Sequence, residues 1–247
     1  LLNGYLENKP FCVLSDAFLK GLIKRPSLPN GLFGEIDISE RKKFKKLTSL
    51  PIDFFTNYAV NDYEALKGYI DKEKSSTKTM VLTKNKINRL TNTTSGNGFD
   101  PYSIEQTFYS KDSELDIYAV LDEKVFSKEE LQKHLKNIGL LGYGKDASTG
   151  MGKFDIVSIE EFSFKAHQQA NGYLTLAYCT PTKNFDIDKS YYKTITKFGR
   201  HGNIGALNKN PFKQPILMAD TGAIFTPNDH TKVSKDIIGK GLGGQGK

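Results

Sequence analysis

The residues best suited to chemistry lie in one run, Gly142-Tyr-Gly-Lys-Asp-Ala-Ser-Thr-Gly-Met-Gly-Lys153, with four glycines, two lysines and Asp146 as its sole carboxylate. Glycines let a backbone pass close to a phosphodiester, and Lys145, Lys153 and the hydroxyls of Ser148 and Thr149 supply further donors, so the run suits an anion. The same glycines also serve tight turns, which is the other reading of the run. A second patch, Lys197-Phe-Gly-Arg-His-Gly-Asn203, sets Lys197, Arg200 and the stacking-capable imidazole of His201 in a glycine-bracketed loop. It is either a nucleic-acid contact or an exposed polar loop. Metal-independent RNA cleavage would need an acid and a base, for which His201 and Tyr191 or Tyr192 are the candidates.

Spacing excludes other chemistries. A P-loop needs Gly-Lys followed by Ser or Thr at the start of a helix, and no such triplet occurs. The run 239–244 has the spacing of a dinucleotide fingerprint, but no helix or second strand follows it. His134, His167, His201 and His230 stand at no metal-ligand spacing from one another or from Cys12 and Cys179. Neither a metal nor a cofactor is expected, and the two cysteines read as reduced core thiols. No apolar run nears the roughly 20 residues that span a bilayer, and no leader opens the chain, so a cytosolic protein off the membrane is expected. The 247 residues carry 35 Lys and Arg against 28 Asp and Glu, and the net charge of +7 favours a polyanionic partner without naming it.

These residues need elements to hold them. Leu115, Ile117, Ala119 and Leu121 alternate with Asp116, Tyr118 and Val120 as a half-buried strand, and Ser127-Lys-Glu-Glu130 is a capping box that starts a helix. Leu131, Leu135 and Ile138 give that helix one apolar stripe, and Gly139 is placed to end it. The glycine run then leads to a strand over residues 154–159, which makes half of a ferredoxin-like unit. Upstream, the apolar residues 11–14 give way to a loop with Pro26 and Pro29, and Asn61-Asp-Tyr-Glu64 caps a short helix. Arg41-Lys-Lys-Phe-Lys-Lys46 is a solvated helix face or a phosphate track. Residues 79–83 and 106–109 pair as strand and return, and the polar segment 84–98 between them is either a floppy loop or a protruding hairpin that orders on a partner. Short strands over residues 173–178, 191–196, 215–219 and 222–225 make a strand-rich second half. With no methionine at Leu1 and a glycine-rich end at Lys247, flanking elements are expected outside this stretch.

The run 142–154, set after a strand and a helix, resembles the glycine-rich loop of the RAMP superfamily, the repeat-associated RNA-binding proteins of CRISPR systems. Within it the chain looks most like the family of fourth Csm subunits of type III-A complexes. The supporting matches run in family order: Leu14-Ser-Asp-Ala-Phe18, the basic helix, the polar hairpin, Tyr191-Tyr-Lys-Thr-Ile-Thr-Lys-Phe-Gly199 and Pro215-Ile-Leu-Met-Ala-Asp-Thr-Gly-Ala-Ile-Phe225.

The resemblance implies an α+β fold of two ferredoxin-like (RRM-like) halves. Residues 1–165 would carry a protruding thumb hairpin at about 80–110 and the glycine-rich loop, and residues 166–247 a truncated strand-rich half. It implies a non-catalytic prokaryotic protein that binds the 5′ handle of crRNA, beside the large polymerase-like subunit and the backbone subunit, and meets target RNA only indirectly. Carried over by residue, the RNA contacts are Gly142, Tyr143, Gly144, Lys145, Asp146, Ser148, Thr149, Gly150, Gly152 and Lys153 in the loop and Lys84, Lys86, Asn88 and Arg89 in the hairpin. Ser15, Asp16 and Lys20 would face the same groove. Arg200 and His201 complete the set, although their loop departs from the serine and aromatic residues usual in the family. Two rival functions are a repeat-cleaving endoribonuclease of the same superfamily and a generic RRM-like RNA-binding protein.

Overall fold

The computed structural model describes residues 4–239 apart from 6, 8, 71–76, 95–99, 145, 183, 200, 202–206, 208 and 230–236. Its elements are those of an α+β protein built on small antiparallel sheets. Strand β1 (Cys12–Leu14) pairs with β8 (Ala119–Leu121), β2 (Phe18–Leu19) with β7 (Leu115–Asp116), and β3 (Leu22–Lys24) with β4 (Ser49–Pro51). The longest ladder joins β5 (Thr77–Lys84) to β6 (Tyr102–Tyr109), from Thr77 opposite Tyr109 to Lys84 opposite Tyr102. In the second part, β10 (Phe185–Tyr191), β13 (Ile224–Pro227) and β9 (Tyr173–Leu174) form one sheet, and β11 (Thr194–Lys197) pairs with β12 (Ile216–Ala219). Among the described residues no helix is long and apolar enough to cross a membrane.

The basic segment forms α1 (Ile38–Lys46), followed by α2 (Phe54–Asn57) and α3 (Tyr63–Ile70). The Asp37 side chain accepts from the Ser39 N–H at 2.7 Å, capping α1, and Lys43, Lys45 and Lys46 complement the helix dipole in its last turn. Phe44, only 1% exposed, is what this charged helix buries. Its ring meets Phe33 and Tyr63 edge-on, at 5.0 and 5.4 Å between centroids, in a core that includes Leu47, Leu50, Phe54 and Leu66. The cations around it stay at the surface, as a solvated helix face requires. A second cluster of Ala219, Ala223 and Phe225 sits under Cys179 and Phe185.

Helix α4 (Lys128–Leu141) starts at the capping box, with Ser127 accepting from the Glu130 N–H and Glu130 accepting from the Ser127 N–H. It does not end at Gly139. That glycine lies buried inside the helix, where a Cβ would collide with the backbone carbonyl of Phe154. Its own carbonyl accepts from the Phe154 N–H, so it is a close-approach site and the helix runs on to Leu141.

Two expected strands differ from the sequence reading. The strand over residues 115–121 breaks into β7 and β8, because Ser15 interposes at Tyr118: its N–H donates to the Tyr118 carbonyl, but its hydroxyl, not its carbonyl, accepts the Tyr118 N–H. Over residues 115–118 its faces are also reversed: Leu115 and Ile117 are exposed, while Asp116 accepts from the Gly21 N–H and Tyr118 packs against Phe162 and Phe164. The strand expected over residues 154–159 joins no ladder. Among the described residues no backbone-to-backbone hydrogen bond forms at 155–166, and Val157 is 79% exposed. Its β-branched and aromatic composition favours extension, but a strand needs a neighbouring edge. Further on, the strand expected over residues 191–196 is divided between the end of β10, which begins at Phe185, and β11, and β13 begins two residues later than the stretch 222–225 suggests.

Both cysteines are free thiols, and burial pushes Cys179 up to about 11. At pH 8 the folded protein should therefore alkylate at Cys179 about 100-fold more slowly than the unfolded chain, read by mass spectrometry of iodoacetamide adducts. Gly139→Ala should cost about 2–4 kcal/mol in urea unfolding with an unchanged m-value, opposite in sign to the gain of up to about 1 kcal/mol usual for such a change in an open helix.

Candidate nucleic-acid interface

The glycine loop is closed by its own backbone. Gly142, at φ +95°, turns the chain out of α4, and the Tyr143 N–H donates to the Gly152 carbonyl at 2.8 Å. A Cβ at Gly142 would strike the Met151 carbonyl, and one at Gly152 the Tyr143 carbonyl, so these two glycines make the close crossing possible. Asp146 organises the interior. Its carbonyl accepts from the N–H groups of Thr149 (3.0 Å) and Met151 (3.3 Å) and from the Thr149 hydroxyl (2.8 Å). Gly150 donates in turn to Ala147. Several backbone donors, those of Tyr143, Ala147, Thr149, Gly150 and Met151, are thus used inside the loop, while the N–H groups of Gly144 and Gly152 bond to no described residue. What it presents outward is Tyr143, 76% exposed, the open positions Gly144 and Gly150, and Lys153.

The loop is tied to the long ladder through the Asp146 carboxylate, which accepts from the Gln106 amide at 3.2 Å and lies 3.9 Å from the Lys84 ammonium. Lys84 and the glycine loop are therefore brought together. Gln106 was missed in the sequence, although its signal is there: it occupies the inward phase of β6 between Ile104 and Phe108, and a polar side chain at such a position needs a partner. Beyond the ladder, Asn88 bridges Thr93 and its side chain accepts from the Leu90 N–H, so this end is locally ordered. Lys86 and Arg89 are exposed there, as is Leu90 at 96%.

The remaining candidates are placed elsewhere. Ser15 is occupied by Tyr118 and by the Asp16 carbonyl, and the Asp16 carboxylate accepts from the Thr221 hydroxyl. Lys20 pairs with Glu114 at 2.6 Å on the surface, and that hydrogen bond raises the lysine's pKa. Among the described residues no hydrogen bond or ion pair links these three to the glycine loop. His201 donates its N–H to the Pro211 carbonyl, while Lys197 lies 3.7 Å over the Tyr178 ring. Among the described residues no hydrogen bond connects His201 with Tyr191 or Tyr192, the pair a cleavage mechanism would need. Lys145 and Arg200 lie outside the described residues.

No family model matches the chain, and no curated protein matches it. Among solved structures, a chain from the crystal structure of a Csm3-Csm4 subcomplex in the type III-A CRISPR-Cas interference complex is similar over 97% of this chain and 81% of that one, with a TM-score of 0.56 and 18% identity. This chain shares the fold of that chain. That likeness concerns the backbone arrangement, and at this identity it assigns no ligand to any residue.

Gly152→Ala should open the loop, lowering stability by about 2–4 kcal/mol and exposing residues 142–153 to limited proteolysis. Gly144→Ala, where the added Cβ meets open space, should cost about 1 kcal/mol from its positive φ alone and leave the loop protected.

Proposed function

We propose that the chain is a non-catalytic RNA-binding subunit of a type III-A CRISPR (Csm) effector complex that holds the 5′ handle of crRNA in the position of the fourth Csm subunit. The observation that carries this reading is the fold shared with the Csm3-Csm4 subcomplex chain over 97% of this one, joined to a glycine loop whose outward groups are Tyr143 and Lys153 and whose inner carboxylate meets Lys84. In this reading residues 1–165 and 166–247 are the two ferredoxin-like halves, the β5–β6 ladder is the base of the thumb, and the partners are the large polymerase-like subunit and the first backbone subunit. The loop works as a preformed platform: its backbone is partly self-bonded, so phosphates are met by lysines and by the remaining N–H groups, and a base by the tyrosine.

In the complex co-expressed with its CRISPR array, Lys145→Glu with Lys153→Glu should reduce retained crRNA about 10- to 100-fold and flatten the salt dependence of binding, with the circular dichroism spectrum unchanged. Unchanged retention would overturn the site, and sequencing of the bound RNA without repeat-derived 5′ ends would overturn the handle assignment. Cleavage of repeat RNA in EDTA by the purified protein, stopped by His201→Ala, would overturn the non-catalytic reading.

A further inference from the structure

Away from the glycine loop, the β3–β4 region and the second part of the chain enclose a groove of about 620 Å³. Four of its lining residues are cations, Lys24, Arg25, Lys45 and Lys193, and two are the adjacent Tyr191 and Tyr192. No carboxylate is among its described lining residues. The groove exists only because distant segments dock: Lys24 reaches Asp220 at 2.8 Å, and the Ser27 N–H donates to the Gly222 carbonyl at 2.8 Å.

Its walls are held in place. The Arg25 guanidinium lies 4.4 Å over the Phe44 ring and donates to the Phe44 carbonyl, and the Tyr192 ring stacks on Phe225 at 5.5 Å. Lys45 and Lys193 differ: both are exposed, and neither makes an ion pair with a described residue. With Lys24 balanced by Asp220, Lys45 and Lys193 are the cations that raise the local potential of this concave site, which an anionic ligand lowers.

We infer that this groove is a second RNA-binding surface, taking one or two nucleotides of a single strand, with phosphates on Lys45 and Lys193 and a base against the tyrosines. A volume in the range of about 300–1,000 Å³ fits a ligand of that size. The tyrosines select among polyanions. A single strand offers π-faces to stack, a duplex hides them, and an acidic peptide would satisfy the lysines while leaving the rings without a planar partner. The inference rests on the reading of the chain as an RNA-binding subunit, but the groove shares no residue with the glycine loop.

The test is fluorescence anisotropy of the purified full chain with a labelled 20-nucleotide polyuridine, run with ultraviolet crosslinking and peptide mapping. Lys45→Glu with Lys193→Glu should weaken binding at least about 10-fold and lower the salt slope by about 1.4, the value for two single-strand phosphates. Its thermal midpoint should stay at the wild-type value, and wild-type crosslinks should map to residues 187–193. Wild-type affinity in that variant with no crosslink there would overturn the groove, whatever happens at the glycine loop. Conversely, Lys153→Glu that binds normally while the groove variant fails would overturn the loop site and leave the groove standing. Equal competition by polyglutamate would overturn the RNA assignment in favour of an acidic protein segment.

Discussion

The structure depends on the docking of one tight turn. Asp220 and Thr221, between β12 and β13, reach across to the first part of the chain, where the Thr221 hydroxyl donates to the Asp16 carboxylate and the Asp220 carboxylate takes the Lys24 ammonium. Thr221 is 1% exposed, and the Asp16 N–H donates to the Leu176 carbonyl, a second bond that ties Asp16 to the later part of the chain. A hydrogen bond to a charged group contributes about 1.5–3 kcal/mol, with the half-buried Asp16 placing this one toward the lower end. The Lys24 pair is more open to water, so it adds less than its short distance suggests. Asp16 is thereby committed to architecture, and the groove lined by Lys24 and Lys193 follows from the same docking.

A second constraint sits at the end of α4. The carbonyl and Cα of Gly139 admit the Phe154 backbone at close range, and the crossing of Gly142 and Gly152 folds the intervening residues into a closed loop. Because the Asp146 carbonyl collects three internal donors, the loop gains shape and loses free N–H groups. A phosphate meeting such a surface is held by flexible ammonium groups more than by fixed amides, which favours a contact that is strong, salt-sensitive and indifferent to sequence. Discrimination would then come from stacking, for which Tyr143 is well exposed.

Local features were legible in the residues themselves. The capping box at Ser127 and Glu130, the Asp62 side chain accepting from the Ala65 N–H at the start of α3, and the ladder around residues 79–83 and 106–109 each depend on groups a few positions apart or on simple alternation. The glycine run was recognisable as a close backbone turn for the same reason. Its internal bonding was not, since composition shows donors but not where they point.

What the tertiary structure alone decided involves pairs far apart in the chain. Lys24 and Asp220 are 196 residues apart, Asp16 and Thr221 are 205 apart, and nothing in either neighbourhood announces the other. Residues 154–159 show the converse: strand-forming side chains that join no ladder because no edge meets them. Sequence by itself determined the short-range geometry, helix N-caps and turns, because those energies are set within one or two turns of chain. Which surfaces face each other, and so which lysines share a groove, was decided by packing, because that energy exists only once distant segments have met.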